Sequence, residues 1–140
     1  MTKLNRKQGN RFAVEEKKAT ISFCFSKLDK NQGQSIEEWQ QKGHLSVFIT
    51  RTQQIGNHLY KEALANKLIK QYTKVGFPPD SEFKPPNHVN PQYWAVIHLT
   101  PNSKEVVAGY IEDNVFYVVF LDEDHKFWPT DIQNRGKNRR

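Results

Sequence analysis

His125 follows the acidic run Asp122-Glu123-Asp124 and stands beside Lys126, with Phe127 and Trp128 next in line. Imidazole is the side chain that exchanges protons near neutral pH, and a neighbouring ammonium can steady a phosphate. The run therefore carries the groups for acid–base chemistry on an anionic substrate. An ordinary surface imidazole held by Asp122 or Asp124 is the competing reading. Lys67, Lys70 and Lys74 fall at i, i+3 and i+7, which on a helix makes a basic stripe, either a phosphate-binding face or simply a solvated one. Cys24 lies mid-strand between Phe23 and Phe25 with no cue in sequence for a lowered pKa, so it reads as a structural thiol. Consecutive acids point in different directions, and the histidines at 44, 58, 88, 98 and 125 lack a metal-ligand spacing, so no metal and no cofactor is expected. A phosphate-binding glycine loop, a Gly-x-Ser-x-Gly elbow and a His-Glu-x-x-His helix are all absent from the sequence.

These residues need elements to position them. Thr20 to Ser26 alternates, putting Ile21, Phe23 and Phe25 on one face of a first strand. After a loop at 29–33, Ser35 and Glu38 have capping-box spacing, so a helix starts there. Gly43 breaks or bends it, and Leu45, Phe48, Ile49 and Thr52 carry helical spacing on to a stop at Gly56. Asn57 is placed to cap a second helix over 59–73, where Tyr60, Leu64, Leu68 and Tyr72 recur every fourth residue. Five prolines between 77 and 92 rule out regular pairing and predict a connector wrapped over the core, anchored by Phe77, Phe83 and His88. Three strands follow, over 93–99, 105–111 and 115–121, with Asn114 supplying left-handed torsion for the last hairpin. Trp94, Tyr110 and Tyr117 read as core rather than as base-stacking platforms. The expected order is β-α-α-β-β-β, an α+β fold with an antiparallel sheet packed on two helices.

The balance of residues limits the class. At 140 residues the chain holds one domain's worth of sequence; mean hydropathy is −0.80 and 12% of residues are aromatic, enough for a small core. The longest apolar run, Val115 to Leu121, is far short of the roughly 20 residues a membrane span needs, so no membrane association is expected. The N-terminal residues lack a secretory pattern, and the single cysteine fits a reducing compartment, so the expected location is cytoplasmic. The net charge of +6 is concentrated in residues 1–18 and 130–140, while 19–129 has eleven Lys/Arg against twelve Asp/Glu. The expected organisation is a basic arm over 1–18, one α+β domain over 19–129 and a basic tail over 130–140. Arg11, Arg135, Lys137, Arg139 and Arg140, with the Lys67-Lys70-Lys74 stripe, are the candidate nucleic-acid contacts, because such arms attract polyanions by releasing counterions.

The order of elements, together with Val118-Val119-Phe120-Leu121 followed by His125-Lys126-Phe127-Trp128, resembles the RelE/ParE superfamily of bacterial toxins. In that family a strand ends in a pattern like His-Arg/Lys-x-x-Tyr, and only His125 and Lys126 match it directly. The resemblance implies a RelE-like fold and a ribosome-dependent mRNA endoribonuclease that inhibits translation, with RNA or the ribosome as target and a cognate antitoxin as partner. It implies His125 as acid or base, Lys126 and Lys104 as phosphate stabilisers, and Tyr117 as a proton-transfer or orienting group. The strands are poor in cations: between Tyr93 and Leu121 only Lys104 is charged positively, and His98 is the sole imidazole. ParE-like members act on gyrase and need no such site, so the alternatives stay open. One is a non-catalytic nucleic-acid- or protein-binding module from a mobile element. The other is an inhibitor of a host enzyme such as gyrase, docking through a strand edge or Trp128.

Overall fold

In the computed structural model, which describes residues 19–129, eight elements succeed one another. They are β1 (Ser22–Cys24), α1 (Ile36–Gln41), α2 (His44–Ile55), α3 (Tyr60–Ala65), β2 (Lys70–Tyr72), β3 (Trp94–His98), β4 (Val106–Glu112) and β5 (Val115–Asp122). The expected α+β class holds, but the sheet is mixed rather than antiparallel, and three helices rather than two accompany it. Strand order is β1-β5-β4-β3-β2, with β1 parallel to β5 and the other neighbours antiparallel.

The expected long second helix is the main correction. Its first turns form α3, but Asn66 caps it and Lys67 adopts φ 60, a left-handed turn in which Leu68 and Ile69 amides both return to the Ala63 carbonyl. The chain then enters β2, pairing Lys70, Gln71 and Tyr72 with Val96, Ala95 and Trp94. The four-residue recurrence of Leu64, Leu68 and Tyr72 was thus shared between a helix and a strand. Ile69 is buried with the helices, whereas Tyr72 is buried on the opposite side of the sheet, an alternation that a helix cannot provide. Lys67, Lys70 and Lys74 therefore form no helical stripe. Asn57 does not cap α3 either: its side chain donates to the Gln53 carbonyl, and the chain enters the helix at Leu59, whose amide donates to Glu62 Oε1 at 2.8 Å.

The first two helices follow their sequence signals. Ser35 and Glu38 close the capping box in both directions, at 3.1 and 2.9 Å. Gly43, at φ 80, separates α1 from α2. Of the row expected on α2, Phe48 is buried and Leu45 packs against the core, whereas Ile49 is exposed; Arg51 and Ile55 complete the inward face. One side of the sheet packs on these helices through Trp39, Phe48, Ile97, Val107, Phe116 and Val118, with Ile21, Phe23 and Phe25 joining from the first strand region as expected.

The opposite side is covered by the proline-rich connector. Phe77 sits edge-on to Trp94 at 5.3 Å and to Phe127 at 5.4 Å, and Phe83 lies 4.7 Å from Phe120. Gln32 clamps the connector: its Nε2 donates to the Lys84 carbonyl at 2.9 Å, and the Lys84 amide donates back to Oε1 at 2.7 Å. His88 anchors differently from the two phenylalanines, lying exposed with Nε2 2.8 Å from the Lys27 carbonyl oxygen. Trp94 and Tyr110 are buried core aromatics, as expected. A register shift between Ala108 and Gly109 bulges β5 at Val119, so Val119 and Phe120 both pack toward the connector side. In the last hairpin it is Asp113, at φ 58, that takes the left-handed torsion expected of Asn114; Asn114 instead donates from its side chain to the Thr20 carbonyl.

Candidate functional site at the end of the sheet

β3 ends, β4 begins and β5 ends along one transverse row, His98 opposite Val106 and Val106 opposite Asp122. This row sets the site. Asp122 is fully buried, and its two carboxylate oxygens accept the backbone N–H groups of Lys126 at 2.9 Å and Phe127 at 2.8 Å. The acid therefore ties back the turn that carries His125, which sits at φ 60. Burial pushes the Asp122 carboxyl above its ordinary range, while the two amides and the nearby His125 oppose that shift. The competing reading, in which Asp122 or Asp124 simply holds the imidazole, is thereby refined: Asp122 holds the turn's backbone, and Asp124 pairs with Lys104 at 3.3 Å.

The turn brings the His125 ring against that of His98, with centroids 5.3 Å apart. His98 is fixed from two directions. Its Nδ1 lies 2.7 Å from the Ser103 carbonyl oxygen, which can only accept, so Nδ1 carries the proton and the neutral ring presents Nε2 as a base. Its own carbonyl accepts from Nε of Arg51 at 3.1 Å, and that guanidinium also donates to Gln54 Oε1 at 3.1 Å. Arg51 is only 9% exposed, and no acid pairs with it among the described residues. Burial accordingly lowers its pKa from the free value.

Among the expected catalytic residues, the fold gathers His125, Lys126 and Lys104 at this end and leaves Tyr117 out. Tyr117 faces Tyr110 across β4 and β5, stacked at 5.1 Å, and five residues along an extended strand put it roughly 16 Å from Asp122. The proton-transfer role expected of Tyr117 at His125 is therefore not one this placement allows. Among the expected nucleic-acid contacts, Lys67 lies on the Arg51 side of the domain, Lys70 lies on edge strand β2 with its ammonium 5.6 Å over the Tyr72 ring, and Lys74 follows β2, beyond them; Arg11, Arg135, Lys137, Arg139 and Arg140 lie outside the described residues. Trp128, considered as a docking aromatic, is stacked on Tyr72 at 4.2 Å and 10°. Cys24 has a cue the sequence did not reveal: its sulfur lies 3.1 Å from Ser26 Oγ, and that contact lowers the thiol's pKa.

Sequence reasoning missed Arg51 and left His98 unassigned. For Arg51 a signal was present, since an arginine midway between Phe48 and Ile55 on one helical stripe must be buried for a reason. Nothing in the sequence paired His98 with His125, because the pairing depends on the β3–β4–β5 register. Among the described residues, no group of three or more His, Cys, Asp or Glu side chains is placed to hold a metal ion, and no helix is long and apolar enough to cross a membrane. Compared with known proteins, the chain matches no family model, no curated protein and no solved structure.

Proposed function

We propose that this protein is a RelE/ParE-like toxin that cleaves RNA, with His98 and His125 as its proton-transfer pair. The observation that carries this reading is the juxtaposition of the two rings at 5.3 Å, one with its tautomer set by Ser103. In the step we envisage, His98 Nε2 takes the proton of a ribose 2′-hydroxyl as its oxygen attacks the adjacent phosphorus. The phosphorus–O5′ bond breaks, and His125 gives a proton to the departing 5′-oxygen, leaving a 2′,3′-cyclic phosphate and a 5′-hydroxyl. Lys126, next to His125 in the chain, and Lys104, paired with Asp124 of the same turn, are the cations this reading assigns to offset charge on the phosphorane-like transition state. Lys104 must exchange its surface partner Asp124 for the phosphate, a modest cost for an exposed ion pair.

The toxin reading adds mRNA on the ribosome as substrate and an antitoxin that neutralises the protein. It is tested by induced expression in a bacterial host, with growth and pulse labelling of protein, RNA and DNA synthesis. Early loss of protein synthesis in the wild type, abolished in His125→Ala and His98→Ala, is the expected result. Cleavage of RNA in vitro should fall in both variants by about a hundredfold or more. Selective loss of DNA synthesis would favour a gyrase-directed inhibitor, and normal growth without cleavage would leave a non-catalytic binding module. The acid-free cationic surface around Arg51 fits that last alternative equally well.

A further inference from the structure

A groove of about 760 Å³ opens between α2, the α3–β2 turn and the β3–β4 hairpin, within the size range of ligand sites. Arg51, Lys67, Lys70 and His98 line it, with Gln71 and Asn102 adding polar groups, and none of the lining residues is acidic. Two cations from separate elements converge there, Arg51 from α2 and Lys67 at the left-handed turn after α3; Lys70 lines the rim from edge strand β2, its ammonium resting 5.6 Å over the Tyr72 ring. Arg51 is unusual among them. Its guanidinium is held by neutral acceptors, the His98 carbonyl and Gln54, which do not balance its charge, so it remains available to an anion entering the groove. No Phe, Tyr or Trp lines the groove as a platform on which a base could stack.

We propose that this groove binds the phosphodiester backbone of a nucleic-acid strand, with Arg51 as the phosphate anchor, Lys67 as an outer contact, and the exposed Lys70 swinging from the Tyr72 ring to a phosphate at the rim. Polar and cationic donors without a Phe, Tyr or Trp platform suit phosphates, which position a strand without reading its sequence. His98 belongs to both places: it lines the groove, and its ring meets His125. A strand held on Arg51 therefore runs toward the histidine pair. The inference uses the proposed function only in taking RNA as the strand, and binding can be measured apart from cleavage.

The test uses the full chain and a fluorescein-labelled, 2′-O-methylated single-stranded oligonucleotide, which cannot undergo 2′-hydroxyl attack. Anisotropy is followed across a salt series. The Lys67→Gln/Lys70→Gln double variant should bind roughly tenfold or more weakly at low salt. Its plot of log affinity against log salt should flatten by about 1.4, the slope of two lost single-strand phosphate contacts. Lys74→Gln, outside the groove, should leave both quantities unchanged. Arg51→Lys keeps the charge but loses the planar fork, and should also weaken binding. A thermal melt checks its fold, and the exposed lysine variants decide the matter if it unfolds. An unchanged slope in the double variant, an equal loss in Lys74→Gln, or equal affinity for inorganic phosphate would overturn the proposal. Lysine-dependent binding without any RNA cleavage would keep this inference and remove the nuclease. Cleavage with lysine-independent binding would do the reverse.

Discussion

Asp122 shows how one side chain can set the geometry of another without touching a substrate. Its carboxylate holds two buried amides of the turn behind it, so Asp122→Ala should cost roughly 3 kcal/mol in urea unfolding and displace His125 from His98. Its titration makes a further prediction. The buried carboxyl has its pKa raised above the ordinary 3.8, so the folded chain holds this proton more tightly than the unfolded chain. Its contribution to stability therefore improves as pH falls from the raised folded value toward 3.8, and is lost as pH rises through that window. Melting wild type and Asp122→Asn from about pH 4 to 8 should show the wild type gaining on the variant toward acid. A difference that does not move with pH would mean that the carboxyl is not desolvated in solution. At this scale the sequence was partly legible: His125, Lys126 and Lys104 could be picked out by type. The His98 partner could not, because it depends on strand register; the Asp122 clamp is local, four and five residues from its amides, but the sequence did not show that it would hold backbone rather than the imidazole.

Elements show where local pattern decides and where it does not. The Ser35–Glu38 box, the Gly43 break and the three final strands were readable, because capping, glycine torsion and β-branched runs act over a few residues. The α3–β2 switch was not. Tyr60, Leu64, Leu68 and Tyr72 satisfy a helical period, yet pairing with the edge of β3 overrides it after Ala65. The bulge in β5 is equally non-local. A Cβ on Gly109 would overlap the Tyr117 carbonyl oxygen and press on the Phe116 ring, so bulge and glycine require each other. Gly109→Ala should lower stability by roughly 3 kcal/mol, seen as a reduced urea midpoint at unchanged slope. Wild-type stability in this variant would show that β5 can slide without cost.

The whole molecule is a sheet between two unlike covers, helices on one side and a hydrogen-bond-poor proline connector on the other. The connector depends on aromatic anchors and the Gln32–Lys84 clamp. Gln32→Ala should therefore speed chymotrypsin cleavage after Phe83 while lowering global stability by only about 1–2 kcal/mol. If cleavage is no faster, the anchors alone hold this cover. The parallel pairing of β1 with β5 has a different consequence, one of order in time. Ser22 lies opposite Val115, the widest sequence separation of any strand pair here, and its amide donates to the Asn114 carbonyl. Loop closure over that span is the slowest to be rewarded, so the antiparallel hairpins should assemble first and β1 should zip on last. In pulse-labelled refolding the Ser22 amide should gain protection after those of β4. Until it does, the outer edge of β5 stays open to any other extended chain that reaches it.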